Sequence, residues 1–456
     1  MNELWRLSAT QLVGGYRDGR FTPEQALAAC VQRTDLVNSR LNALVARDDA
    51  AAAQAAQEST ARWRAGRPLG PLDGVPLTVK DNLHVRGLPT RWGSRALPGV
   101  ACEHDELPVA RLREGGAVIF GKTNVPEFTM QGYTENPVFG ATANPWNTAL
   151  TPGGSSGGAA ALVAAGGCPV ALGTDGGGSI RRPASHTHLV GYKPGRGRVP
   201  RGRGLPPIFL DYEVVGSLTR TVDDAVAVMQ VIGRGIDVAA AEPARILYVP
   251  RFAEHPVDPG IAALVDAAAR RFAALGHEVE LAAGLDLFEA VNACWPLLSQ
   301  VGLAWLVEHP QELSQRTIDP LLFGPAMQAN VEAGRAASGR VLFGLLYEVE
   351  RLRAALGALF ASHDFLLTPA AAALPWPARE THPPRIAGRD VSPRGHALFT
   401  AFANAEGLPA VALPCGFEQG LPVGLQLVAP EGADSALLSL ARQYEEEHAW
   451  QRFPEL

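Results

Sequence analysis

Apolar and polar positions change their spacing several times along the chain. Residues 8–60 carry helical spacing. Thr22-Pro23-Glu24 reads as a helix start, with Thr as cap and Pro in the first turn, and Ala26, Leu27, Ala29 and Cys30 follow at helical intervals. From Leu72 onward the texture shifts to short apolar runs between Gly and Pro. Val75–Val79, Ala117–Gly121 and Pro169–Gly173 read as buried strands, while Leu107–Glu114 and Gly157–Ala165 read as helices. Residues 221–234 and 259–275 are amphipathic, and Arg245–Val249 between them is a strand candidate. Residues 281–362 are mostly helical, Val341–Phe360 most clearly, and strand character returns at Phe365–Pro369 and Ala410–Pro414. Pro375–Arg389 reads as an ordered surface loop. Strand–helix alternation of this kind argues for an α/β sheet.

Composition narrows the class. The 456 residues are 47% hydrophobic and 19% charged, with 48 Gly and 36 Pro. That is too apolar for disorder, and the Gly/Pro excess has no triplet period. Length alone suggests about three domains, yet no linker offers a place to cut. The net charge of −6 argues against nucleic acid as the main ligand, and the cluster Arg196, Arg198, Arg201 and Arg203 reads as a solvated loop. Five scattered cysteines without metal spacing fit reduced thiols in a cytoplasmic protein. No signal peptide is seen in Met1 to Arg20. The longest uncharged stretch, Asn136 to Thr174, is 39 residues without Asp, Glu, Lys, Arg or His. Pro137, Pro145, Pro152 and Pro169 interrupt it, so it reads as the dry centre of an enzyme rather than a membrane span.

Two motif matches fail on physical grounds. Gly116 to Thr123 satisfies the phosphate-loop pattern, but its central Ala-Val-Ile-Phe favours a strand over a flexible turn. Gly153-Gly-Ser155-Ser-Gly157 satisfies the nucleophile-elbow pattern, with His363 and His396 as later partners, but Leu150-Thr-Pro152 is no strand to launch an elbow.

Three further segments belong together. Gly74-Val-Pro-Leu-Thr-Val-Lys80-Asp81 sets a lysine at the end of a buried strand. Gly153-Gly-Ser155-Ser156-Gly-Gly158 is a Gly/Ser loop opening an Ala-rich helix. Gly173-Thr-Asp-Gly-Gly-Gly178-Ser179-Ile-Arg181 is a second glycine loop bearing a serine. These segments closely resemble the amidase signature family of amide hydrolases. Gly121-Lys-Thr-Asn-Val-Pro-Glu-Phe128, Asn144-Pro-Trp146, Val190-Gly-Tyr-Lys-Pro194, Gly216-Ser-Leu-Thr-Arg220 and Gly420-Leu-Pro-Val-Gly-Leu-Gln426 extend the likeness over roughly residues 8–430.

The resemblance implies one large α/β domain over residues 1–456, with a central twisted mixed sheet covered by helices on both faces. It sets a helical segment at about 1–65, the signature core at about 70–220 and a helical substrate-shaping region at about 281–362. It assigns the catalytic set as Lys80, Ser155 and Ser179. Ser179 is the expected nucleophile, and Ser155, after a cis bond from Gly154, is the expected relay to a neutral Lys80. A free lysine has a pKa of about 10.4, so the dry stretch must lower it. Gly176, Gly177, Gly178 and Ser179 are the expected backbone donors to an oxyanion. Met130, Gln131, Gly132 and His188 are the expected substrate contacts, with residues 281–345 and 375–395 shaping the rest of the pocket.

Two departures stand out: Gly176 replaces a usual Thr, and His186-Thr-His188 replaces an aromatic residue and a glycine; these histidines read as surface or core-packing residues, with substrate contact as the alternative. The expected activity is cleavage of a carboxamide to an acid plus ammonia or an amine, with no metal, no cofactor and no membrane. A homodimer is compatible with the family. Two alternatives stay open. One is a glutaminase subunit of a tRNA-dependent amidotransferase, working with partner proteins on a nucleic-acid substrate. The other is an inactive relative used as a binding protein, against which the three retained triad positions argue.

Overall fold

The computed structural model describes residues 3–282, 285–450 and 453–456. Ser8 and Thr22 each cap a helix through reciprocal bonds with Gln11 and Gln25, so Ala9–Arg17 and Pro23–Leu41 start at those caps. Asn42, in the left-handed region at φ 49°, ends the second helix. The strand β1 (Leu44–Arg47) then interrupts the stretch that helical spacing suggested, before the helix Asp49–Arg64. Four residues are too few for periodicity to separate from flanking helices.

The remaining main-sheet strands are β2 (Pro76–Lys80), β3 (Val118–Thr123), β4 (Val170–Asp175), β5 (Val190–Lys193), β6 (Val214–Thr219), β7 (Arg245–Tyr248), β8 (Glu278–Leu281) and β9 (Phe365–Pro369). A two-stranded ribbon, β10 (Arg385–Ile386) and β11 (Arg389–Asp390), sits in the Pro-rich loop. The long strands β12 (Ala410–Glu418) and β13 (Leu421–Val428) complete the set. The eleven-stranded sheet runs β1-β3-β2-β4-β6-β5-β12-β13-β9-β7-β8. It is mixed: β3, β2 and β4 are parallel, as are β9, β7 and β8, and antiparallel pairs join the two ends. This is a single-domain α/β fold, and length per domain misleads because one eleven-stranded sheet runs from β1 near the start to β13 near the end of the described residues.

The central strands are buried on both faces, which is why they read as continuous apolar runs. On one face Leu77, Val79, Ile119, Leu172, Val411 and Leu425 pack against the helices Val222–Ile232, Pro259–Ala274 and Asp434–Glu447. On the other, Phe120, Ala171, Leu218 and Ala412 pack on the helix Gly157–Ala164, all of whose residues are buried. That helix enters so closely that a Cβ at Gly158 would lie 2.4 Å from the Asn124 nitrogen. The glycines of the Gly/Ser loop therefore serve packing as well as turning. The helix Gly339–Phe360 covers the β7–β9 end through Leu345, Val349, Leu352 and Leu356.

The rejected phosphate loop is strand β3. Its Lys122 is wholly buried, 2.8 Å from Asp81, and donates to the Pro89 carbonyl and the Thr90 hydroxyl. The arginine cluster corrects a sequence expectation. Arg198 pairs with Asp434, Arg201 with Glu106 and Glu213, and Arg196 donates to the carbonyls of Asn404 and Ala405. Three of its four side chains thus tie the loop to the core rather than solvate it.

Two glycines give opposite forecasts. Gly158→Ala overpacks the helix start and should lower the unfolding free energy by about 1–3 kcal/mol. Gly344, exposed inside the helix Gly339–Phe360 with nothing within 4 Å of a new Cβ, should gain about 0.5–1 kcal/mol as Ala. Urea denaturation of the two variants measures both.

Candidate active site

Strands β2 and β4 are parallel neighbours, with Val79 beside Leu172, so their carboxyl ends open at one edge. Lys80 therefore emerges beside Thr174 and Asp175, the usual location of sites in such sheets. The Lys80 ammonium is fully buried. It donates to Ser155 Oγ at 2.8 Å, to Thr174 Oγ1 at 2.8 Å and to the Thr174 carbonyl at 3.1 Å. Burial pushes its pKa down to about 7. Glu213 and Asp175 oppose that shift, and Arg201 and Arg182 add to it.

Ser155 follows a cis peptide from Gly154. A Cβ on Gly154 would meet the Tyr133 carbonyl oxygen at 2.5 Å, so only glycine fits there. Ser155 accepts from Lys80, and its own proton has no acceptor among the described residues. Ser179 lies on the second loop and lines a cavity of about 420 Å³. It is 8% exposed against 1% for Ser155, so Ser179 is the serine that faces the cavity. The two loops touch through a bond from Ser156 N to the Ser179 carbonyl, 3.1 Å.

The second loop is folded around the Asp175 carboxylate, which accepts from Gly178 N at 2.6 Å, Gly177 N at 3.3 Å and Ile180 N at 3.1 Å. Arg181 meets both of its oxygens, at 3.0 and 2.8 Å. Burial works against this charge, yet the Arg181 guanidinium and Lys193 hold the carboxyl well below its ordinary range. Gly178, at φ 110°, allows the turn; a Cβ there would lie 2.2 Å from Thr400 Oγ1. Of the four expected oxyanion donors, Gly178 N–H is thus committed to Asp175 and Gly177 N–H leans toward it. Gly176 N–H and Ser179 N–H have no acceptor among the described residues.

Met130, Gln131 and Gly132 line the cavity beside Ser179, Gly176 and Gly177. His188 does not. It ends the helix Arg181–Thr187 in the left-handed region and packs between Phe417, at 4.6 Å, and Trp146, at 5.6 Å. Of its two readings, substrate contact is therefore corrected and packing is the one the geometry fits. A Cβ at Gly176 would lie 3.4 Å from Phe209 and Glu213, which line the cavity with it, so the missing side chain leaves room there. Trp295, Pro296, Ser299, Gln300, Ala326 and Asn330 come from the 281–345 region, and Thr381, Pro393, Arg394, His396 and Ala397 from the loop beyond it.

Sequence reasoning missed Thr174, Glu213, Arg182 and Arg394. Thr174 Oγ1 donates to Glu213 at 3.2 Å, and Arg201 holds Glu213 at 2.7 Å. Glu213 has no local motif to mark it. Thr174 sits inside the glycine-loop motif and Arg182 directly follows it, so position was the available signal. Of the two histidines weighed for an elbow, His363 bonds Glu280, and His396 reaches the cavity without a hydrogen bond to Ser155. Among the described residues no three His, Cys, Asp or Glu side chains form a metal cage.

A lysine about half deprotonated at pH 7, holding a serine beside a turn with free N–H groups, suits one kind of work. It can take the proton of an attacking hydroxyl while the turn receives the charge that develops. That is the equipment of an enzyme that breaks carbon–nitrogen bonds in amides. Comparison with known proteins agrees: the chain belongs to the Amidase family, whose profile matches residues 25–438.

Among relatives, it is 34% identical over 490 aligned positions to the A-type subunit of the glutamyl-tRNA(Gln) amidotransferase of Moorella thermoacetica, covering 100% of this chain and 99% of that one. The corresponding protein of Salinispora arenicola is 33% identical, with 98% of each chain covered. Among solved structures, a bacterial aryl acylamidase superposes with a TM-score of 0.89 at 28% identity, covering 97% of this chain and 96% of that one. A 6-aminohexanoate cyclic dimer hydrolase with bound substrate gives 0.89 at 28%, covering 99% of each.

Asp175→Asn tests the loop's dependence on its carboxylate. It leaves Arg181 buried without a counter-charge, so stability should fall by about 3–5 kcal/mol. Urea denaturation reads the loss, and a change under about 1 kcal/mol would refute the assignment.

Proposed function

We propose that the protein hydrolyses a carboxamide through an acyl-enzyme on Ser179. The observation that carries this reading is the 2.8 Å bond from a fully buried Lys80 to Ser155, with Ser179 on the cavity wall and its loop joined to the Ser155 loop through Ser156 N and the Ser179 carbonyl. In the proposed sequence Ser179 Oγ attacks the carbonyl carbon. Its proton passes to Ser155, whose own proton passes to neutral Lys80. The carbonyl oxygen, now negative, rests on Gly176 N–H and Ser179 N–H, with Gly177 N–H as a weaker partner. The C–N bond then breaks, and the proton returns through Ser155 to the leaving nitrogen. Water attacks the ester by the same relay, releasing the acid and freeing Ser179. The five cysteines are all free thiols, which supports a cytoplasmic setting for this work.

One second reading has its own support. Curated relatives matched nearly end to end are amidotransferase subunits. The protein would then be a glutaminase passing ammonia to a partner, and turnover would need glutamine and that partner. Turnover of simple amides by the isolated chain separates the two readings.

Two outcomes check the mechanism. Lys80 must lose its proton to act, so kcat/KM should rise as pH increases through about 7 and level off above about 8. A flat profile between pH 6 and 10 would remove Lys80 as the base. Ser179→Ala should abolish both turnover and labelling by a fluorophosphonate probe, with an unfolding midpoint close to that of the unsubstituted protein. Persistent labelling at another residue would move the nucleophile.

A further inference from the structure

The cavity wall is electrically lopsided. Its one acidic side chain among the described residues is Glu213, already held by Arg201. Its basic side chains are Arg182 and Arg394, neither in an ion pair among the described residues. Both terminal nitrogens of Arg182 are occupied, Nη1 donating to the Gly177 carbonyl and to Thr400 Oγ1 and Nη2 to the Gly154 carbonyl at 3.3 Å, and only its Nε lacks a partner among the described residues. It braces the two serine loops against each other.

Arg394 differs. Its Nε and Nη2 atoms are buried and have no hydrogen-bond partner among the described residues. These two nitrogens form one edge of the guanidinium, the fork that accepts a carboxylate through two parallel bonds. Burial lowers Arg394 only to about 10, so it is charged at neutral pH. Its surroundings offer no internal counter-charge: Arg182 lies near enough to repel it, and His396 beside it on the wall has both ring nitrogens unpartnered. A buried guanidinium left unpaired is costly unless a ligand completes it. The same cavity of about 420 Å³, which Ser179 also lines, carries apolar surface from Met130, Phe209 and Trp295, suited to a short carbon chain.

We propose that Arg394 binds a carboxylate on the acyl part of the substrate, making the substrate class the monoamides of short dicarboxylic acids. This rests on the Ser179 reading above, and the experiment separates the two. Amides of equal length with and without a terminal carboxylate are compared: succinamate against butanamide, and glutaramate against pentanamide. One amic acid should exceed its uncharged partner by roughly 10- to 100-fold in kcat/KM, the range for a charged hydrogen-bonding partner. Arg394→Gln should erase that preference mainly through KM, and Arg394→Lys should restore part of it. Uncharged amides cleaved as well as the acids would overturn the carboxylate site and leave Ser179 hydrolysis standing.

A binding measurement needs no turnover. Succinate and glutarate are titrated by calorimetry into Ser179→Ala protein and into the Ser179→Ala/Arg394→Gln double variant. Binding lost in the double variant supports the site even if neither amide is cut, in which case the hydrolysis reading alone fails. No binding of either diacid at about 10 mM overturns the site. If Arg394→Gln does not fold, the substrate preference of the unsubstituted protein and diacid binding to Ser179→Ala still decide.

Discussion

The buried pair between Asp175 and Arg181 holds the active edge of this molecule together. Arg181 commits all five of its N–H donors inside the protein. Three bonds go to the Asp175 carboxylate and Asn404 Oδ1, and two to the Thr400 carbonyl and Gln426 Oε1. Asp175 in turn gathers the N–H groups of Gly177, Gly178 and Ile180. A pair of buried charges adds little net stability by itself, since desolvation offsets attraction. What it supplies here is geometry. It ties the end of β4 to β13 and to the helix Ala401–Ala405, segments more than two hundred residues away in sequence. The glycine turn is wound around this centre, and the N–H groups Asp175 does not use, on Gly176 and Ser179, are left without an acceptor among the described residues.

The same centre explains how three distant segments are joined. Ser155 and Ser179 lie on separate loops, and Lys80 lies on a third segment. Parallel pairing of β2 with β4 brings the lysine to Thr174, and Thr174 sits one residue before Asp175. Ser156 then joins the first loop to the second through the Ser179 carbonyl and, by its own hydroxyl, the Thr174 carbonyl. Every link is a backbone or short side-chain contact, which leaves little slack.

How much of this was legible in the sequence follows from the range of each interaction. Central strands announced themselves because burial on both faces requires unbroken apolar runs, and Leu107–Glu114 and Phe365–Pro369 fall where the pattern sets them. Strands β5, β6 and β13 carry Gly, Ser, Lys or Gln at positions satisfied by partners far along the chain, so no local pattern reveals them. The glycine loops were legible because their residue types are forced by close backbone approach. Arg394 was not, since an arginine in a Pro-rich loop looks the same whether it faces water or a cavity. His188 misled for the opposite reason: its place in a motif suggested chemistry, and its surroundings are Phe417 and Trp146.

Lys80 illustrates why a dry site needs charges nearby as well as apolar walls. Burial alone would drive its pKa down, but two carboxylates, Glu213 and Asp175, are close enough to pull it back up. Left bare, they would pull the lysine back toward its protonated form. Each is instead held by its own arginine: Asp175 by Arg181, and Glu213 by Arg201 at 2.7 Å. A carboxylate paired at contact distance projects a dipole rather than a full charge, so its field falls off faster with distance. Arg201 and Arg182 also act on Lys80 directly, in the same direction as burial. The uncharged stretch from Asn136 to Thr174 is therefore half of the device. The other half is a set of charged residues outside it, Arg201 and Glu213 among them, arranged so that Lys80 sits near neutrality between them.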